Sequence, residues 1–388
     1  MSLTLSYPSR ILVGGGCVAE VPDLLSAIGG KAPLVVTDGF MVSSGLVKAL
    51  TDPLAAAGVA FELFTCPPGE PTDKTIQQGV EVLKGSACDC LIAIGGGSPM
   101  DVAKAMVVLA SGGGVLSDWK VPALCTMPVL PLVCIPTTAG TGSEVSRFTV
   151  VTDTSRDPEE KMLIMGPACL PVAAVVDYEL TLGLPPRQTA DTGLDALTHA
   201  LECYVSAKAN PTSDALALSA LGQIFPNLRR AYSTPDDRTA REAVMLGATQ
   251  AGMAFSNASV ALVHGMSRPV GAFFHVPHGM SNAMLLPSVT AFSLSAAPAR
   301  YGAAARAMGC AAAGDDDAKA GALLIEALEA LNKDLAVPTP KDYGIEKEAW
   351  DARMEIMAEQ ALASGSPSNN PRVPTIAEMV AIYTALYG

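Results

Sequence analysis

The chain has 388 residues, 49% of them apolar and 16% charged, with a formal net charge of −13. That composition excludes a disordered chain, and at ~150 residues per domain the length suits two or three domains able to bury a core without staples. The excess of 38 acidic over 25 basic residues repels phosphate backbones and anionic lipid, so neither nucleic acid nor a membrane is expected as a partner.

The opening "MSLTLSYPSRILVGGG" has no basic region followed by a long apolar core, and no uncharged apolar run approaches the ~18 residues of a membrane span. Nine cysteines are scattered along the chain, the closest pair being Cys88 and Cys90. A C-x-C pair has neither the redox C-x-x-C spacing nor a second pair to complete a zinc site. Free buried thiols in a reducing cytoplasm are the expectation.

The first half alternates strand and helix signals. "APLVVTD" (32–38), "AFELFTC" (60–66), "DCLIAIGGGSP" (89–99), "LPLVCIPTTAGTGS" (130–143) and "AAVVDY" (173–178) read as short apolar strands, and "DVAKAMVVLAS" (101–111) as a helix. Continuous apolar runs separated by helices point to parallel strands covered on both faces. From "PPRQTADTGLDALTHALECYV" onward the signals are helical: "SDALALSALGQIFPNLRRAY", "AREAVMLGATQAGMAF", "AGALLIEALEALNKDL" and "TIAEMVAIYTALYG". "GCAAAGDDDAKAG" (309–321) reads as an exposed acidic loop. The Pro185–Pro186 pair makes a natural stop. The expected organisation is an α/β domain over 1–184 and an all-helical domain over 185–388, with a site in the cleft between them.

Two loops carry nucleotide chemistry. "IAIGGGSPMDVAKA" places three glycines and a serine between a strand and a helix. Glycine allows close backbone approach, and the N–H groups at the helix start attract an anion. The spacing is not G-x-G-x-x-G, so the turn alone fits either a phosphate loop or a plain tight turn. "PTTAGTGSE" (136–144) adds a second small-residue loop with hydroxyl donors. Asp38 ends "APLVVTD"; it is either a turn former before Gly39 or a carboxylate that accepts from ribose hydroxyls and repels a 2′-phosphate, favouring NAD over NADP.

The four histidines carry the rest. Asp195 and His199 are four apart in a helical pattern and share one face, where they can chelate a cation. Asp191, one turn earlier, fits an N-cap or first-turn role. His264 and His278 are fourteen apart, but Pro269, Gly271 and Pro277 argue against one straight helix. One ligand at a helix end and one at the next helix start, with "SRPVGAFFHVP" looping between, is the preferred arrangement. Three imidazoles and a carboxylate suit Fe²⁺ or Zn²⁺ with a position open for substrate. Unrelated core or surface histidines are the competing reading.

"GGGSPMDVAKA", "PTTAGTGSEVSRFTVVTD", "KMLIMGPACLPVAAVVDYELTLGLPP", "TGLDALTHALECYVS", "VHGMSRPVGAFFHVPHGMSNAMLLP" and "NNPRVPT" occur in that order. Together they resemble the iron-dependent, or group III, alcohol dehydrogenases, which include lactaldehyde reductase and 1,3-propanediol dehydrogenase. The resemblance covers nearly the whole chain. It implies a Rossmann-like parallel sheet followed by a helical domain, and hydride transfer between NAD(H) and a primary alcohol or its aldehyde. It implies Asp195, His199, His264 and His278 as ligands to Fe²⁺, with Zn²⁺ as the other candidate. It places Gly96, Gly97 and Ser98 on the pyrophosphate, with Asp101 opening their helix. Thr137, Thr138 and Lys161 match residues near the dinucleotide, and Asp38 matches the position tied to NAD preference. It also implies a homodimer or higher homo-oligomer contacting through "LSYPSRILVGGG".

Two positions depart from the family pattern: Arg268 stands where many members carry a second histidine, and Ser366 where many carry cysteine. Arg268 stays protonated and cannot serve as a neutral general base. His275 is then the other imidazole available to relay a proton, or a loop residue capping backbone. Arg268 itself either clamps an anionic substrate end or makes a surface ion pair. The alternative function is a metal-dependent lyase of the dehydroquinate synthase type using NAD transiently, which needs a basic cluster for phosphate; a non-catalytic binding protein is the remaining reading.

Overall fold

The computed structural model describes residues 3–156 and 159–387. Met1 and Ser2 of the opening segment, and Gly388 at the end of the last predicted helix, lie outside the described residues. The chain divides into two compact units, Met1–Leu182 and Gly183–Gly388.

The first unit is α/β. Strands β1 (Arg10–Val13), β2 (Pro33–Asp38), β3 (Glu62–Cys66), β4 (Cys90–Gly95), β5 (Leu132–Pro136) and β8 (Ala173–Val176) form one parallel sheet. Their order is β1-β8-β5-β4-β2-β3. Strands β6 (Phe148–Asp153) and β7 (Glu160–Met165) form a separate antiparallel pair. Helices α1 (Val21–Ile28), α2 (Gly39–Ser43), α3 (Lys48–Ala56), α4 (Asp73–Gly85) and α5 (Gly97–Gly112) complete the unit.

Strand periodicity explains the two cores. Leu34 and Val36, Leu91 and Ala93, and Leu132 and Cys134 turn to one face, against Ile76, Val80 and Leu83 of α4 and the apolar residues of α5. Val35, Ile92, Ile94, Val133, Ile135 and Val175 turn to the other, against Val21, Leu24 and Leu25 of α1 and Leu50 and Leu54 of α3. Both faces are covered, which is why the central strands read as unbroken apolar runs rather than alternating ones. From β2 the chain moves outward to β3 and then returns to β4 on the opposite side of β2. The loops after β2 and β4 therefore diverge, and that switch point is where open parallel sheets bind ligands.

Polar chemistry ties the hairpin to α5. Asp101 is the fifth residue of α5, not its opening residue. It accepts from Ser143 Oγ at 2.8 Å and from Val150 N at 3.1 Å. Lys104, fully buried, donates to Ser143 Oγ, Ser146 O, Ser146 Oγ and Phe148 O at 2.9–3.1 Å. Burial pushes the Asp101 carboxyl up, and the Lys104 charge opposes it.

The second unit is helical: α6 (Pro186–Val205), α7 (Pro211–Ser233), α8 (Arg238–Ala258), α9 (Leu262–Phe274), α10 (His278–Leu294), α11 (Pro298–Ala307), α12 (Asp317–Asp334), α13 (Lys347–Asp351), α14 (Met354–Ala363) and α15 (Ile376–Tyr387). Pro186 opens α6, where its missing N–H costs no helical bond. Every α6 residue from Thr189 to Val205 except Thr192 is buried, so α6 is the unit's central helix. None of the described helices is long and apolar enough to cross a membrane. No cysteine is disulfide-bonded, and seven of the nine are buried.

Lys104→Met leaves the Asp101 carboxylate buried without its charge partner. Urea unfolding should show a loss of about 3–5 kcal/mol. The Asp101→Asn, Lys104→Met double variant should lose less than the two single changes together, whereas simple additivity would show that the two groups are not coupled.

Candidate functional site

In the second unit, α6 places Asp195, His199 and Glu202 at i, i+4 and i+7, on a single face of the helix. α9 brings His264 in its first turn, and α10 begins with His278. Ligand atoms of Asp195, His199 and His264 all lie within 4.8 Å of one another. His264 Nε2 and His278 Nε2 stand 3.5 and 3.6 Å from Asp195 Oδ1, and His199 Nδ1 stands 3.9 Å from Asp195 Oδ2. The His199 and His264 rings stack at 4.4 Å, and His199 stacks on Phe255 on its other side. Asp195, His199 and His264 are buried, while the His278 side chain is 49% exposed. The cluster therefore has three enclosed members and one at the open side.

Two further residues complete this group. Glu202 Oε2 contacts His264 Nδ1 at 2.6 Å, and its other oxygen accepts from Val263 N. This contact fixes the imidazole with Nε2 turned toward Asp195, the carboxylate–histidine arrangement typical of metal ligands. Asn282, one turn after His278, donates from Nδ2 to Asp195 Oδ1 at 2.7 Å and lies 3.2 and 3.3 Å from Nε2 of His264 and His278. Its Oδ1 is buried with no hydrogen-bond partner among the described residues. Neither Glu202 nor Asn282 was singled out from the sequence, although both extend the helical spacing of Asp195–His199 and of His278.

The donors fit a divalent cation. Ligands about 2.1 Å from a common tetrahedral ion are separated by about 3.4 Å, close to the spacings around Asp195. The charge on Asp195 agrees: burial opposes its ionisation, but the neighbouring imidazoles, His199 first, hold its carboxyl well below the usual range. His264 is held by hydrogen bonds and charge from Asp195 and Glu202, which raise its pKa against burial; a cation at Nε2 would have to displace that proton.

The structure differs from several expectations. "SRPVGAFFHVP" is not a loop: α9 runs through Pro269 and Gly271 to Phe274, leaving only His275–Pro277 as the connection. His264 is thus near a helix start rather than an end. Asp191 is neither cap nor first-turn residue but the sixth residue of α6, paired with Arg187 at 2.6 Å. His275 caps the C-terminus of α9 at φ 55°, its N–H donating to Gly271 O and its carbonyl accepting from Tyr343 Oη. Its ring contacts no member of the cluster among the described residues, so its observed role is in the backbone. Arg268 also stands outside the cluster, donating from Nη1 to Ser366 Oγ at 3.0 Å.

In the first unit, Asp38 ends β2, Gly95–Ser98 follow β4 and Thr137–Thr138 follow β5. Gly95 adopts φ +149°, and a Cβ there would meet Pro99 at 2.9 Å and Asp38 Oδ2 at 3.3 Å. A Cβ on Gly97 would meet Thr141 at 3.0 Å, so the threonine loop closes directly over the glycine turn. No side chain caps α5 at Gly96, which leaves the first-turn N–H groups for an anion. Thr137 N–H donates to Gly95 O at 2.9 Å. Thr138 Oγ1 is buried with no hydrogen-bond partner among the described residues. An uncapped helix start beside an unsatisfied hydroxyl fits a phosphate-bearing ligand. Asp38 spends Oδ1 on the cap of α2, accepting from Met41 N at 2.9 Å, and turns Oδ2 to the glycine turn. Lys161 is not gathered here; it lies on β7, paired with Glu70 at 2.8 Å. The Asp101 carboxylate, held by Ser143 and Val150, is likewise engaged with the hairpin.

A Cβ on Gly279 would lie 2.0 Å from Asp191 O, so α10 can approach α6 this closely only with glycine beside His278. Gly279→Ala should therefore reduce metal content per chain without altering any ligand, measured by elemental analysis against total protein. Full metal occupancy in that variant would show that the α6–α10 approach does not govern the centre.

Comparison with known proteins agrees with this geometry. The family model "Fe-containing alcohol dehydrogenase family, C-terminal" matches residues 189–387, and "Iron-containing alcohol dehydrogenase" matches residues 8–178. The chain is 37% identical over 376 residues to the NAD-dependent methanol dehydrogenase of Bacillus methanolicus, covering 97% of each chain. It is 36% identical to the lactaldehyde reductase of Escherichia coli (strain K12), covering 95% of this chain and 96% of that one. The crystal structure of a 1,3-propanediol oxidoreductase superposes with a TM-score of 0.94 over 100% of both chains at 34% identity. The protein belongs to the iron-containing alcohol dehydrogenase family.

Proposed function

We propose that the protein is an NAD-dependent, iron-containing alcohol dehydrogenase that interconverts a primary alcohol and its aldehyde. The observation that carries this reading is the convergence of His199, His264 and His278 on the buried Asp195 in a member of this family. Fe²⁺ is the ion assigned, and Zn²⁺ suits the same donors. A divalent ion held there supplies Lewis acidity toward the alcohol or aldehyde oxygen.

The remaining work falls to the chain. Glu202 holds the His264 ring in the tautomer that leaves Nε2 free toward Asp195. Phe255 wedges His199 against His264, which limits the rotation of both rings. Asn282 keeps an amide donor on Asp195 Oδ1, satisfying an oxygen of a buried carboxylate. In the first unit, Gly96, Gly97 and Ser98 bind the pyrophosphate of NAD with Thr137 and Thr138 alongside, and Asp38 Oδ2 accepts from a ribose hydroxyl. The methanol dehydrogenase relative is described as NAD-dependent, which supports the choice of dinucleotide.

The edge position of β1, with Val13 48% exposed, supports a homodimer or higher homo-oligomer joined through residues 5–16. A cytoplasmic location accords with nine unpaired thiols. The matching family models are those of alcohol dehydrogenases, which favours this reading over the lyase alternative.

Two measurements test the reading. In anaerobically purified protein, His278→Ala should lose bound metal and NADH-linked aldehyde reduction together; turnover retained by metal-free protein would defeat the proposal. Asp38→Ala should raise the NADPH-to-NADH ratio of kcat/KM by about ten-fold or more, since it removes like-charge repulsion of a 2′-phosphate. An unchanged ratio would place dinucleotide selection elsewhere.

A further inference from the structure

Arg268 lies four residues after His264 on α9, so both side chains leave the same helix face one turn apart, about 6 Å along the axis. It is exposed, and among the described residues it makes no ion pair. A surface ion pair, the bland account of this residue, is therefore absent. Its described hydrogen bond goes from Nη1 to the neutral Ser366 Oγ, which uses one of five guanidinium N–H donors. The carboxylate within electrostatic reach is Glu202, whose two oxygens are already committed to His264 Nδ1 and Val263 N.

The seat itself is built. Ser366 is 7% exposed, on a turn fixed against α9 where a Cβ on Gly265 would meet Pro367 at 2.9 Å. Asn369 Nδ2 ties the same turn to Val260 O at 2.9 Å. Ser366 accepts from Arg268, so its own O–H remains to donate. A protein of net charge −13 thus keeps an unpaired, permanently charged guanidinium one helical turn from the candidate metal ligands. With a divalent cation held by that cluster, the guanidinium would supply a second positive charge one helical turn away, which suits a short substrate with electron-rich oxygen at both ends.

We propose that Arg268, seated by Ser366, is the specificity residue for an anionic group at the far end of a short aldehyde or alcohol. The inference rests on the dehydrogenase reading above and names its substrate class. Carboxylate, sulfonate and phosphonate share the required chemistry: oxygens that accept parallel guanidinium hydrogen bonds.

The test compares kcat/KM for 4-oxobutanoate and butanal, matched in length, with NADH as reductant. Sulfoacetaldehyde and phosphonoacetaldehyde against acetaldehyde identify which anion is preferred. Wild-type protein should favour the anionic member of a pair by about ten-fold or more. Arg268→Ala should collapse that preference by a similar factor through KM of the anionic aldehyde, with Arg268→Lys intermediate and KM for NADH unmoved. Ser366→Ala, a gentler change, should lower the preference in the same direction. Calorimetric titration with 4-hydroxybutanoate against 1-butanol gives the same comparison without turnover. Equal losses on both aldehydes, a wild-type preference for butanal, or a loss confined to NADH affinity would overturn the assignment. If no aldehyde is reduced, the dehydrogenase reading fails; if butanal is reduced without an anion preference, only this inference does.

Discussion

A carboxylate buried among imidazoles organises the second unit. Asp195 is 4% exposed and ionised, and a charge in that setting persists only where partners surround it. The partners come from three helices: His199 from α6, His264 from α9, and His278 with Asn282 from α10. Each is placed by a helix start or by helical spacing, and Gly279 permits the approach of α10 to α6 that brings the last two in. Removing Asp195 would leave donors with nothing to converge on. Asn282 Nδ2, 2.7 Å from Asp195 Oδ1, adds a neutral donor to the same carboxylate.

The first unit meets a different constraint. Its sheet is covered on both faces, so polar groups concentrate where strands end, and the switch between β2 and β4 separates two of those ends. Gly95, Gly97 and Thr141 allow the β4 and β5 loops to close on each other. Asp101 and Lys104 hold the hairpin and the 143–146 turn to α5, which fixes the base of the threonine loop without using the Thr137 or Thr138 hydroxyl. A chain that buries a lysine completely and supplies it with four acceptors has made that loop part of the core.

Much of this was legible in the residues. The five apolar runs of the first half appear as β2, β3, β4, β5 and β8; β2, β4, β5 and β8 are buried on both faces and leave a continuous apolar pattern, whereas the edge strand β3 buries only Phe64 and Cys66. The hairpin β6–β7 was not read as strands, because it alternates instead: Val150 and Leu163 are exposed while Val151, Met162 and Ile164 are buried. The short edge strand β1 has only four residues and offers little pattern. Proline misled the reading of α9. Pro269 sits inside the helix, as Pro226 and Pro287 do in α7 and α10, since burial of each helix outweighs the loss of one hydrogen bond. Spacing pointed to Asp195 and His199 but passed over Glu202, although the same periodicity extends to it. Asp101 and Lys161 look like ligand contacts by motif; only their three-dimensional partners, Ser143 with Val150 and Glu70, reveal what they hold.

The most direct test of the account is anomalous diffraction at the iron edge from crystals of the iron-loaded protein. A single strong peak per chain is expected, within about 2.0–2.3 Å of donor atoms from Asp195, His199, His264 and His278. A peak elsewhere, or a loaded crystal in which those four side chains do not share one ion, would contradict it.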